Sequence, residues 1–245
     1  MSPPTFAVVL PARYASTRFP GKPLAPIGGK TLIEWVYRRA QEIRGAAELV
    51  VATDDERIAR EVERFGGRAV MTSAGHATGT DRVAEVAAGL DVDVVVNLQG
   101  DEPVFEPAMV EEMVAALGHD GELDIMTAAH PIDDEAQWRN PNAVKVVVGA
   151  NGRALYFSRA PIPHGALAGK WLRHVGVYAF RKTALLRFTA LEPTPLERSE
   201  RLEQLRALEN GMTIGVVTVA RATFGVDVPD DIKSVEKAMG TTYTT

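Results

Sequence analysis

The chain contains no cysteine, which excludes disulfides and thiolate metal ligands. It also lacks an apolar run long enough to span a bilayer, and its opening lacks the basic-then-apolar pattern of a secretory signal. A soluble, cytoplasmic protein is the expectation. The five histidines, His76, His119, His130, His164 and His174, show neither HExxH nor paired zinc spacing. No GxGxxG follows the first apolar run and GxSxG is missing, which argues against a dinucleotide dehydrogenase and a serine hydrolase. Gly29-Lys30-Thr31 ends like a P-loop, but the first glycine of GxxxxGK[ST] would fall on Leu24, and Pro23 and Pro26 suit that loop badly. A turn and helix start is expected there instead. Segment 165–170 is one residue short of the same motif.

Excess positive charge is likewise missing: 27 Lys and Arg stand against 32 Asp and Glu, which disfavours a general nucleic-acid binder. Yet the first 33 residues carry Arg13, Arg18, Lys22 and Lys30 and no acidic residue at all. A cationic loop directly after a buried strand, in an otherwise acidic protein, suits a small polyanion such as a nucleoside triphosphate. Pro11, Pro20, Gly21 and Pro23 restrict that loop, Gly21 permits close approach of a ligand, and Ser16 and Thr17 add hydroxyls.

Short β-branched runs at 5–10, 48–52, 68–71, 92–98 and 124–129 alternate with helical periodicity at 31–43, 56–65, 81–89 and 107–117. That rhythm predicts an α/β fold, doubly wound around a mainly parallel sheet. Beyond about residue 130 the strand-like runs 144–148, 154–157 and 174–180 predict a smaller antiparallel lobe, spanning about 131–181 and suited to dimer contact or to covering a substrate. Helices are expected at 182–190, 195–210 and 230–239, and a late strand at 213–220. With no repeat or linker, 1–245 reads as a single domain.

Ligands of open parallel sheets lie beyond the carboxyl ends of the strands. There, NLQGDEP delivers Gln99 and Asp101. A carboxylate facing a cationic phosphate loop can hold Mg²⁺ between protein and triphosphate, so Asp101 is the first candidate ligand, against the plainer reading of a Gly-Asp turn. Asp227, in Val-Asp-Val-Pro before a helix, is either a helix cap or the second ligand. The polar loop 72–82 is a βα connection in which Thr72 and Arg82 are candidates for reading a pyrimidine edge.

Taken in order, PARYASTRFPGKPL, VATDD, MTSAGHATGTDR, NLQGDEP, NPNAVKVV, ALYFSRAPIP, RHVGVYAFR, PLERSERLEQLR and GVDVPDD resemble the 3-deoxy-manno-octulosonate (Kdo) cytidylyltransferases over nearly the whole chain. The resemblance implies a Rossmann-like nucleotidyltransferase sheet and transfer of CMP from CTP to the anomeric hydroxyl of Kdo, releasing pyrophosphate, for lipopolysaccharide biosynthesis. It implies triphosphate contacts at Arg13, Arg18 and Lys22 and Mg²⁺ ligands at Asp101 and Asp227. It also implies a sugar side formed by Gln99, Arg159, His174, Tyr178, Glu203 and Gln204, with Arg159 suited to the sugar carboxylate. A homodimer is expected from the family and the lobe, with neither nucleic acid nor membrane as partner.

The segment between Arg159 and His174 is shorter than in many members of that family. The sugar is therefore open among Kdo, its 8-amino analogue and a sialic-type acid. A nucleotide sensor without turnover is the non-enzymatic alternative.

Overall fold

The computed structural model describes residues 3–15, 19–165, 171–220, 225–226 and 228–242. They form two compact units, one of residues 5–111 with 223–245 and the other of residues 1–4 with 112–222.

The first unit opens with β1 (Phe6–Ala12), whose Ala7, Val8, Val9 and Leu10 are wholly buried. An unbroken apolar strand of this kind belongs in the middle of a parallel sheet, covered on both faces. A small hairpin follows, β2 (Pro26–Ile27) and β3 (Lys30–Thr31), turned by Gly28 and Gly29 at φ 51° and 86°. Two successive positive φ values are what a two-residue hairpin loop demands and what glycine supplies. Thr31 then caps α1 (Leu32–Ala40) by accepting from the Glu34 N–H. The Gly-Lys-Thr segment is thus a turn and helix start, as expected.

Next come β4 (Ala46–Thr53), α2 (Glu56–Arg64), β5 (Ala69–Met71), α3 (Gly79–Ala88) and β6 (Val94–Asn97). β1 pairs in parallel with β4 on one side and β6 on the other, and β4 pairs with β5. The chain therefore winds outward from β1 through β4 to β5, then returns to place β6 on the opposite flank of β1. Winding reverses between β1 and β6, and that reversal opens a crevice at their carboxyl ends. A closing helix spans Asp231–Thr242.

Helix α4 (Pro107–His119) starts in the first unit and ends in the second. The second unit continues with β7 (Ile125–Ile132), α5 (Glu135–Arg139), β8 (Lys145–Val148), β9 (Ala154–Ser158) and β10 (Trp171–Arg181). It closes with α6 (Lys182–Thr189), α7 (Pro195–Glu200), α8 (Gln204–Glu209) and β11 (Ile214–Thr218). β10 is antiparallel to β7 and to β8, β8 to β9, while β11 joins β7 in parallel. The three runs expected to be antiparallel are so. β10 begins three residues before the expected start, at Trp171, whose ring stacks 4.7 Å from Trp138 beside buried Ile132.

The single helix expected over 195–210 is corrected to two. Arg201 adopts φ 54°, a left-handed conformation that stops α7, buries Leu202 and restarts the helix at Gln204. No glycine or proline marks the break, so helical periodicity ran through it unnoticed. Among the described residues, no helix is long and apolar enough to cross a membrane.

Candidate active site

In the first unit, the β1–β6 crevice is occupied by a cavity of about 200 Å³ lined by Pro11, Ala12, Arg13, Lys22, Pro23, His76, Thr78, Gly79, Arg82, Gln99, Gly100 and Asp101. The two strand ends approach so closely that a Cβ on Gly100 would lie 2.9 Å from the Pro11 carbonyl oxygen. Only glycine fits at that point.

The cationic loop is anchored at its ends. Gly21 donates to the Tyr14 carbonyl over 2.9 Å and turns at φ 72° against the Tyr14 ring, on which the Arg57 guanidinium rests 3.4 Å from the centroid. Lys22 then opens a short 3-10 turn that includes Pro23, so its Cα is set by rigid backbone. Its ammonium donates to Asp101 Oδ2 and, over 2.9 Å, to the Val226 carbonyl. Val226 N–H in turn donates to the Asp101 carbonyl over 2.9 Å. Two residues separated by 79 positions are thereby brought together as sequence reasoning expected, with Arg13 exposed at the same mouth. Arg18 and Asp227 lie outside the described residues.

Arg82 and Thr72 pack as a pair. The buried Arg82 guanidinium donates to Asp54 Oδ2 over 2.9 Å and to Thr72 Oγ1, whose own proton goes to the Thr53 carbonyl. This partly buried ion pair ties loop 72–82 to the end of β4, and Arg82 also lines the cavity. Gln99, assigned by resemblance to the sugar side, lines the same cavity and donates to Asn97 over 3.3 Å.

Sequence reasoning missed His76, Thr78 and Gly79. Thr78 and Asp81 form a capping box, so α3 starts at Gly79, two residues before the helical periodicity expected from 81. The N-terminal end of α3 thus borders the cavity and adds positive potential. His76 contacts Glu85, whose carboxyl is held below its usual range by that imidazole and by the Ser73 N–H. The available signal was position, since all three follow the third parallel strand.

The second unit contains Arg159, His174, Tyr178, Glu203 and Gln204, of which His174 and Tyr178 are in ring contact. His174 lies edge-on to Phe157, with ring centroids 4.9 Å apart, and 5.4 Å from Tyr178. Its Nε2 is 2.9 Å from Thr127 Oγ1, a hydroxyl that spends its one proton on the Val175 or Val177 carbonyl. Nε2 must therefore carry the ring proton, which leaves Nδ1 as an acceptor. Burial, aided by the Arg173 charge, pushes the His174 pKa down to about 3. Gln204 is buried at the start of α8, and its amide nitrogen has no hydrogen-bond partner among the described residues. Arg206 holds Glu197 through two bonds of 2.6 and 2.9 Å and lies 3.7 Å from Glu203, fixing this helix.

The His174 shift has a consequence for stability. Between pH 6.5 and about 3 the unfolded chain binds a proton that the folded one refuses, so the contribution is complete above the unfolded value and disappears as pH falls through the folded one. Acidification should cost up to about 1.4 kcal/mol per pH unit from this residue. Urea midpoints measured from pH 7 to pH 4 should fall less steeply for His174→Asn than for the wild type. Equal slopes would contradict the neutral assignment.

The chain matches the cytidylyltransferase family over residues 7–214. It is 50% identical over 243 residues to the 3-deoxy-manno-octulosonate cytidylyltransferase of Syntrophotalea carbinolica, covering 95% of this chain and 97% of that one. The enzyme of the same description from Myxococcus xanthus is 52% identical over 237 residues, covering 94% and 95%. A solved structure of CMP:2-keto-3-deoxy-manno-octonic acid synthetase complexed with CTP superimposes with a TM-score of 0.92 at 44% identity, covering 97% of this chain and 99% of that one. With its parallel sheet, its crevice and these relatives, the chain belongs to the 3-deoxy-manno-octulosonate cytidylyltransferase branch of the cytidylyltransferase family.

Proposed function

We propose that this protein transfers CMP from CTP to the anomeric hydroxyl of Kdo, forming CMP-Kdo and pyrophosphate. The observation that carries the reading is the convergence of Arg13, Lys22, Gln99 and Asp101 on one cavity at the reversal point of the sheet, in a chain of this family.

Two anions, a triphosphate and an acid sugar, must meet for this reaction. Charge neutralisation and alignment therefore dominate, and no covalent protein intermediate is needed. Arg13 and Lys22 neutralise the phosphates, Lys22 from a backbone position that rigid turns hold ready. The helix end at Gly79 adds N–H dipoles facing the same cavity. Arg18 takes its triphosphate role from the family resemblance alone.

The donors present fit Mg²⁺. No three acidic or histidine side chains cluster among the described residues, but Mg²⁺ ordinarily uses one or two carboxylates together with substrate phosphates and water. Asp101 supplies such an oxygen at the cavity wall, and Asp227 is the second ligand by resemblance. When bound, the ion would add positive charge at the phosphates and acidify the attacking hydroxyl.

On the sugar side, Arg159 offers a guanidinium for the carboxylate, His174 Nδ1 an acceptor and Gln204 an amide donor that lacks a partner among the described residues. A buried amide left in that condition costs stability unless a polar ligand satisfies it.

The test is pyrophosphate release and product mass for CTP and UTP, each offered with Kdo, its 8-amino analogue and sialic acid in the presence of Mg²⁺. Strong turnover is expected for CTP with Kdo. Turnover confined to another acid sugar would reassign the substrate, and binding of CTP without turnover on any acid would overturn the enzymatic reading.

A further inference from the structure

Lys145 is among the largest wholly buried side chains of the described residues, in β8 of the second unit. A buried ammonium is expensive, and an apolar residue of similar volume would often serve stability as well or better. Its placement asks for another explanation. The Lys145 ammonium donates to the Asn140 carbonyl over 2.9 Å and to the Arg159 carbonyl over 2.7 Å. Burial pushes its pKa below the usual lysine value, while the Glu200 carboxylate opposes that shift.

Glu200 completes the arrangement. One of its oxygens accepts from Ser158 Oγ over 2.5 Å and the other from the Arg159 N–H over 2.9 Å. Its own carbonyl accepts from Arg159 Nε over 2.8 Å. The left-handed Arg201 ends α7 at this point, and the Arg201 carbonyl lies 3.5 Å from one terminal nitrogen of Arg159. The Pro141 carbonyl takes the other terminal nitrogen over 3.1 Å. The backbone of Arg159 is thus held at its N–H by one charged side chain and at its carbonyl by another.

What touches the guanidinium itself is the telling feature. Its partners among the described residues are backbone carbonyls, while the Glu200 carboxylate accepts from Ser158 and from the Arg159 main chain. An arginine kept only for stability would ordinarily be paired with a carboxylate. Here the fork is oriented by neutral acceptors and each terminal nitrogen retains an N–H, the pattern that a bidentate carboxylate requires.

We infer that Lys145 and Glu200 are positioning residues that lock Arg159 so that its guanidinium is presented to the carboxylate of the acid sugar. This rests on the reading of Arg159 given under Proposed function.

Steady-state kinetics of the full chain with CTP and Kdo test it, using Arg159→Ala, Lys145→Met and the double variant. Arg159→Ala should raise KM for Kdo about 100-fold, and Lys145→Met about 10-fold, with KM for CTP within about twofold in both. The double variant should be no worse than Arg159→Ala by more than about twofold, because the lysine acts through the arginine. A purely structural lysine would shift both substrates or add its effect in the double variant, and either result overturns the inference. So does a folded Lys145→Met enzyme with an unchanged KM for Kdo. An unchanged KM in Arg159→Ala would instead remove the underlying carboxylate assignment, and the inference with it. Should Lys145→Met fail to fold, Glu200→Gln alone and with Arg159→Ala is read by the same criteria.

Discussion

Asp101→Ala should lower CMP transfer below about one-thousandth of the wild-type rate while changing stability by no more than about 1 kcal/mol. The two halves of that expectation have separate origins. The Asp101 side chain is 33% exposed at the end of a strand and makes a contact to Lys22 that solvent screens in part. Lys22 keeps the Val226 carbonyl when the carboxylate is gone, and the Asp101 backbone keeps its bond from Val226 N–H. Little of the fold is therefore at stake. The carboxylate nevertheless lines the cavity, and under the proposed function it is the oxygen donor offered to a metal-bound triphosphate. Turnover measured beside a urea unfolding curve separates the two effects. Activity near the wild-type level would remove Asp101 from the mechanism.

Lys22→Ala should reduce kcat by about 10²- to 10³-fold, the usual effect of deleting one preorganised group that stabilises developing negative charge. The lysine is only 13% exposed, and Pro23 and the 3-10 turn fix its backbone, so little reorganisation accompanies its use. Removing it also frees Asp101 from its partner, and that distinguishes the two variants. Lys22→Ala retains a carboxylate and should still respond to Mg²⁺, whereas Asp101→Ala should respond weakly at any concentration. Equal rates for Lys22→Ala and wild type would make the loop charge ornamental.

Much of this architecture is legible in the residues themselves. The apolar run of β1, the capping threonine of α1 and the alternation through β6 carry local signals that survive packing, because each is repeated by several neighbouring side chains. The crevice follows from strand order: Arg13, Gln99 and Asp101 fall there because each follows the end of β1 or β6, and Lys22 because the Gly21–Tyr14 hydrogen bond folds its loop back. What was illegible depends on contacts distant in sequence. Arg201 turns left-handed without glycine or asparagine, in a place where its carbonyl and that of Glu200 face Arg159. Short α5 has too few residues to display periodicity. His76 was set aside as a lone histidine, since nothing local announces that it lines the cavity. Nothing in the sequence around Lys145 announces that its ammonium is buried between two carbonyls.

The central claim is that Asp101 and Lys22 seat a metal-bound CTP, and equilibrium dialysis with Mn²⁺ and labelled CTP tests it most directly. Wild-type protein should retain Mn²⁺ and CTP together, and Asp101→Asn should lose at least about tenfold in Mn²⁺ affinity at the same CTP concentration. Retention of both by Asp101→Asn at wild-type levels would contradict the account.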